Sequence, residues 1–96
     1  MTTTLHEVRA MFQRYASTME EAAAVPEGCS LVLSEGSQTY GRAWRVHLTG
    51  GEHGSGHANP MVGPDYLGWT RREAYLALFT ATATVSSLLW MQERNR

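Results

Sequence analysis

CSLVLS at residues 29–34 and TYGRAWRVHLT at residues 39–49, joined by Glu35-Gly36-Ser37, form the stretch that decides the fold. Apolar residues here recur at every second position, the period of a strand with one buried face. Two such runs flanking a short Gly-containing connection read as a hairpin. In the second run Tyr40, Trp44, Val46 and Leu48 share one face, while Ala43, Arg45, His47 and Thr49 share the other. The first face needs a helix to cover it. Gly41 marks a bulge or a close backbone approach.

Upstream, the period is helical. Leu5, Val8, Phe12, Tyr15, Met19 and Ala22 recur at alternating steps of three and four, which predicts an amphipathic helix over about 4–24. Thr4 and Glu7 have the spacing of a capping box at its start, and Pro26 with Gly28 supplies the stop. Downstream, Thr70 and Glu73 repeat the capping box and open a second helix over about 70–93. Tyr75, Leu78, Thr82, Val85 and Leu89 form one stripe on it; Leu76, Phe79, Ala83 and Trp90 form another. Between hairpin and helix lies Gly50 to Gly68, with six of the nine glycines and two of the three prolines. Connections of that length are uncommon in a compact domain and are usually functional or mobile. Met61-Val62 or Tyr66-Leu67 offers a short third strand within it. The expected architecture is a single α+β domain over residues 1–96, α-β-β-(β)-α, with two helices packed on one face of a small antiparallel sheet.

Composition narrows the chemistry. The chain has 96 residues with a formal charge of −1, so it is no polycation, and contact with nucleic acid has to come from a local patch. All eight basic residues are Arg, and Ile is absent, a codon signature of a high-GC genome. The one cysteine, Cys29, excludes an internal disulfide framework. The start Met1-Thr2-Thr3-Thr4 lacks the basic and apolar regions of a secretory signal, so the expected compartment is the cytoplasm.

No local motif points to catalysis or to a cofactor. Glu52, His53 and His57, with His47 upstream and Asp65 downstream, resemble a metal cluster in composition, but two histidines on a glycine-rich loop lack the preorganised ligands zinc needs. The same loop has no Lys followed by Ser/Thr after its glycines, so the charge and amide cradle of a nucleotide loop are missing. Cys29 could be activated only by a spatial pairing with His47. With no lysine, amine and Schiff-base chemistry is restricted to the N-terminus.

From Ala74 to Met91 no residue is charged. Three readings compete for this helix: a core helix lying across the hairpin with the first helix beside it, an interface for a second copy or partner, and a membrane span. Arg42, Arg45, Arg71 and Arg72 could form a basic patch, with Tyr40, Trp44 and Trp69 as stacking surfaces.

Two resemblances enter here. Gly68-Trp69-Thr70-Arg71-Arg72-Glu73-Ala74, after an α-β-β order, is similar to the G-x-S-K-K-E-A start of the last helix in double-stranded-RNA-binding domains, whose basic pair implies phosphate contact. The third basic position of that motif is Tyr75 in this chain. More broadly, Thr39-Tyr40-Gly41-Arg42-Ala43-Trp44-Arg45-Val46, a Gly/Pro/His-rich loop and Leu67-Gly68-Trp69-Thr70-Arg71-Arg72-Glu73-Ala74, over residues 30 to 90, resemble small uncharacterised proteins of actinobacterial phages, a group that implies no established activity, only expression in a bacterial host, where small phage proteins often act by binding host proteins.

The expectation that follows is a small non-enzymatic interaction module in the host cytoplasm. It would form a homodimer or bind a host protein through Met61, Tyr66, Trp69 and Trp90. The alternative is nucleic-acid binding through Arg42, Arg45, Arg71 and Arg72, and the second alternative is membrane association through residues 74–91.

Overall fold

A computed structural model of the chain describes residues 2–37, 39–50 and 66–94. The element order is α1 (Leu5–Glu21), β1 (Cys29–Ser34), β2 (Trp44–Gly50), β3 (Tyr66–Gly68) and α2 (Arg71–Arg94). The three strands form one antiparallel sheet in the order β1-β2-β3, so the fold is α+β with the arrangement α-β-β-β-α. The third strand is the Tyr66–Gly68 segment; Met61-Val62 lies outside the described residues.

Both helices start where their capping boxes place them. The Glu7 amide donates to Thr4 Oγ1 at 3.2 Å, and the Thr4 amide donates to Glu7 Oε1 at 3.1 Å. In α2 the Glu73 amide donates to Thr70 Oγ1 at 3.1 Å and the Thr70 amide to Glu73 Oε1 at 3.2 Å. Each box satisfies two amides that the first turn leaves without helical partners.

The end of α1 is not set by Pro26 and Gly28. Ala23 adopts a left-handed conformation at φ 56°. Its amide donates to the Glu20 carbonyl, and the Ala24 amide reaches back to the Met19 carbonyl, both at 2.9 Å. This is a Schellman motif with alanine where glycine is usual. Alanine carries no turn signal, so the sequence pointed past it to the next breaker.

The sheet registers Leu31 with Leu48, Leu33 with Val46 and Ser34 with Arg45. Alternation therefore sends Leu31, Leu33, Trp44 and Val46 towards the helices, and Ser30, Val32, Ser34, Arg45 and His47 to the outer face. The second strand begins at Trp44 rather than Thr39. Tyr40, expected on the apolar face, lies in the connecting turn at 77% exposure. Gly41 serves that turn, with φ 63° and open space around it, and a Ser37–Arg42 bridge closes the loop. Gly36 lies against the Trp44 indole, so close that a Cβ would fall 2.4 Å from the ring.

The β2–β3 pairing is irregular between Trp44 and Arg45, which face Gly68 and Tyr66. This bulge lets Leu67 reach the core while Tyr66 stays with Arg45 on the outer face. Gly68 then turns the chain into α2 at φ 140°, and a Cβ there would meet the Glu73 Cβ at 2.5 Å.

Among the described residues ten hydrophobics are buried. Five come from α1 (Val8, Met11, Phe12, Tyr15, Met19), three from the sheet (Trp44, Val46, Leu67) and only Ala74 and Leu78 from α2. The core is thus centred on α1, and α2 is not the central helix its composition suggests. Burial pushes the pKa of the Tyr15 phenol up, since the charged form would lie in apolar surroundings.

Ala23 carries the strain of a left-handed alanine, which glycine relieves at some cost in chain entropy. Ala23→Gly should raise the stability measured by urea unfolding by about 0.5–1 kcal/mol. A loss of stability would show that the Schellman turn does not form as described.

Candidate functional site

Two surfaces stand out, and α2 carries both. The first is its outer side. At about 100° per residue, Leu76, Phe79, Ala83 and Trp90 lie roughly 160° round the axis from Ala74, Leu78, Ala81 and Val85, which face the core. Ala74 and Leu78 are fully buried, whereas Leu76, Phe79 and Trp90 are 48%, 51% and 59% exposed. Leu76 and Phe79 are exposed because they face away from the core, and at the far end of α2 helix length adds to the exposure. The 24 residues of α2 extend about 36 Å and the 17 of α1 about 25 Å, so the last turns of α2 overhang the layer beneath them. Leu88, Trp90 and Met91 are all more than half exposed there.

The second surface lies at the start of α2, around Trp69. A cleft of about 580 Å³ is lined by Trp69, Arg71, Arg72, Ser37 and Trp44, among others. A neighbouring one of about 720 Å³ is lined by Trp69, Arg42, Arg45, Ser34 and Glu35. Trp69 is common to both, so the four arginines expected to form a basic patch do gather at one end of the molecule. Arg42 stacks over the Tyr40 ring at 5.8 Å and Arg45 over Tyr66 at 5.6 Å. Trp44, expected as a stacking surface, is buried in the core and cannot serve as one.

Glu35 interrupts the positive charge at this end. Arg9 Nε donates to Glu35 Oε2 at 2.7 Å and Nη2 to Oε1 at 3.1 Å, a two-pronged contact tying α1 to the end of β1. The hydrogen bonds from Arg9 hold the Glu35 carboxyl below its ordinary pKa; partial burial opposes them, and the charges of Arg9 and Arg71 add to them.

The anchors expected from sequence are therefore divided. Tyr66 and Trp69 sit at the arginine end, while Trp90 lies about 28 Å further along α2, counting 1.5 Å per residue from Arg71. Met61 lies outside the described residues, as do Glu52, His53, His57 and Asp65. Leu76 and Phe79, about half exposed, join the outer face of α2, which their three-and-four spacing with Ala83 signals in the sequence. Cys29 pairs with Gly50 and His47 with Val32, which puts the two side chains on opposite faces of the sheet, so no thiol–imidazole pair forms. His47 Nδ1 instead lies 3.3 Å from Ser34 Oγ. Among the described residues no three His, Cys, Asp or Glu side chains group as metal ligands.

By length and composition α2 could cross a membrane, with mean hydropathy 1.4 over its most apolar window. Only 11% of that window is buried, and Ala74 and Leu78 belong to the same core as α1. No protein-family model matches the chain, and no curated protein or solved structure is similar enough to count as a match.

The Arg9–Glu35 pair makes stability depend on pH on the acid side. Since the folded pKa of Glu35 lies below the ordinary 4.5, its contribution is present above that pH and is lost as pH falls through the folded value. Glu35→Gln should lower the urea midpoint at pH 7, and the difference should shrink as pH falls through the lowered folded value of Glu35. A difference that persists unchanged at pH 3 would assign the effect to packing instead.

Proposed function

We propose that this chain is a non-enzymatic protein-interaction module working through the outer side of α2. The observation that carries the reading is the stripe of Leu76, Phe79, Ala83 and Trp90 on the side of the helix turned away from its own core. Single exposed apolar residues are ordinary on a soluble protein; an aligned set on one helix face, with two large aromatics, has the make-up of a binding surface. The setting is a high-GC bacterial host, in which a phage-encoded protein of this kind would dimerise or bind a host protein. In the purified protein and in host lysate, wild type should sediment as a species larger than a monomer. Leu76→Glu/Phe79→Glu should remain monomeric in both, with an unfolding midpoint close to that of wild type at concentrations where wild type is dissociated, because both side chains are about half exposed. Wild type that stays a strict monomer in both samples removes the reading, and recovery only with detergent would favour membrane association through residues 74–91.

A second reading is nucleic-acid binding, favoured by the gathering of Arg42, Arg45, Arg71 and Arg72 around Trp69. Arg71 and Arg72 stand on the first turn of α2, beside the Glu73 carboxylate that accepts from the Trp69 and Thr70 amides, where the helix macrodipole disfavours cations and a bound anion would offset them. They also belong to the heptapeptide similar to the helix start of double-stranded-RNA-binding domains. Four phosphate contacts predict that log K for a DNA duplex falls with log salt at a slope of about −3 to −4, as read by fluorescence anisotropy. Arg42→Ala/Arg45→Ala should flatten the slope; no binding of RNA or DNA at low salt eliminates this reading.

A further inference from the structure

The arginine end of the molecule carries exposed rings as well as charge. Trp69, half exposed, lines both of its clefts. One cleft is also lined by Arg42 and Arg45 and the other by Arg71 and Arg72, so each places two guanidinium groups beside the same indole. Two further rings belong to this end. Arg42 lies over Tyr40 and Arg45 over Tyr66, yet these rings stay 77% and 47% exposed. A guanidinium occupies one face of a ring and leaves the other to a ligand. The two carboxylates nearby have partners of their own. Arg9 reaches Glu35 from α1, and Glu73 accepts from the Trp69 and Thr70 amides and from the Thr70 hydroxyl.

This combination is selective in what it can satisfy. A simple phosphate would use the charge and leave the rings in water. A duplex keeps its bases stacked on one another, so the arginines can meet its phosphates while the rings find no base face. An unpaired strand uses both, since its phosphates follow the positive groups and every base has a face to lay on a ring. We infer that the arginine end takes single-stranded nucleic acid, with an unpaired base stacked on Trp69 and the flanking phosphates drawn to the arginines of the two clefts. The inference rests on the nucleic-acid reading above and narrows it from any strand to unpaired ones.

Fluorescence anisotropy at low salt tests it on the full chain with labelled oligothymidine of about twelve nucleotides, and with oligouridine of the same length as the RNA arm. The single strand should bind at least about fivefold more tightly than the same strand annealed to its complement, the low end of what one base–ring stack contributes. An abasic strand of equal length, with the same phosphates and no bases, should be weaker than the base-bearing strand by the same factor. Trp69→Ala should lose about fivefold or more with an unchanged salt slope, because stacking releases no counterions. Arg71→Ala/Arg72→Ala should flatten that slope by about 1.4, from two phosphate contacts on a single strand. Trp69→Phe keeps a ring and should bind close to wild type, and matching urea midpoints establish that the variants are folded. The abasic comparison uses the wild-type chain throughout, so it decides without any variant. A preference for the unpaired strand in either sugar supports the inference. Equal affinity for single strand and duplex in both sugars, or for abasic and base-bearing strands, overturns it and leaves the nucleic-acid reading standing. If no strand of any kind binds at low salt, both fail.

Discussion

Everything else in this fold is arranged around the apolar ridge of α1, which packs most extensively against α2 and shares one core with the inner face of the sheet. Val8, Met11, Phe12, Tyr15 and Met19 form a continuous ridge that supplies half of the buried hydrophobic residues, and Trp44, Val46 and Leu67 rise to meet it. The second helix joins through Ala74 and Leu78, with Ala77, Ala81 and Val85 only partly covered. Burial is decided by what remains to be covered, and hydrophobicity alone does not make a helix central. A sheet whose longest strand has seven residues spans about 23 Å, so a 24-residue helix must project beyond it.

Local signals transferred from sequence to structure where they rest on short-range chemistry. Both capping boxes form between the residues that carry the pattern, because a threonine and a glutamate three apart need only the first helical turn to meet. The switch from helical to alternating period located the hairpin, and Tyr66-Leu67 became the third strand. What eluded the sequence depended on backbone shape or tertiary competition. Ala23 takes a left-handed conformation that its side chain does not advertise. Thr39-Tyr40-Gly41 keeps the alternation of a strand but is diverted into the turn by the positive φ of Gly41.

The functional surfaces divide along the same line. The convergence of Arg42, Arg45, Arg71 and Arg72 was legible because a hairpin turn and the following helix start must come to one end of a small sheet. The separation of Tyr66 and Trp69, at the start of α2, from Trp90 at its far end was not, since it depends on the length and direction of the helix and not on residue type. The two stripes of α2 were visible as periodicities. Which of them faced the core required knowing that Ala74 and Leu78 sit beneath the first turns.

The three tryptophans occupy three different depths: Trp44 closed in beneath Gly36, Trp69 between the two arginine-lined clefts, and Trp90 on the overhanging end of α2. The intrinsic fluorescence of the chain is therefore a composite of three separable emitters. Trp44, at 3% exposure, is largely shielded from aqueous quenchers in the folded domain, whereas Trp69 and Trp90 meet them directly. Quenching by iodide, an anion drawn to the arginines around Trp69, and by neutral acrylamide, which is indifferent to them, resolves the two outer indoles. One unlabelled chain thus carries its own optical probes of the core, the basic end and the outer helix face.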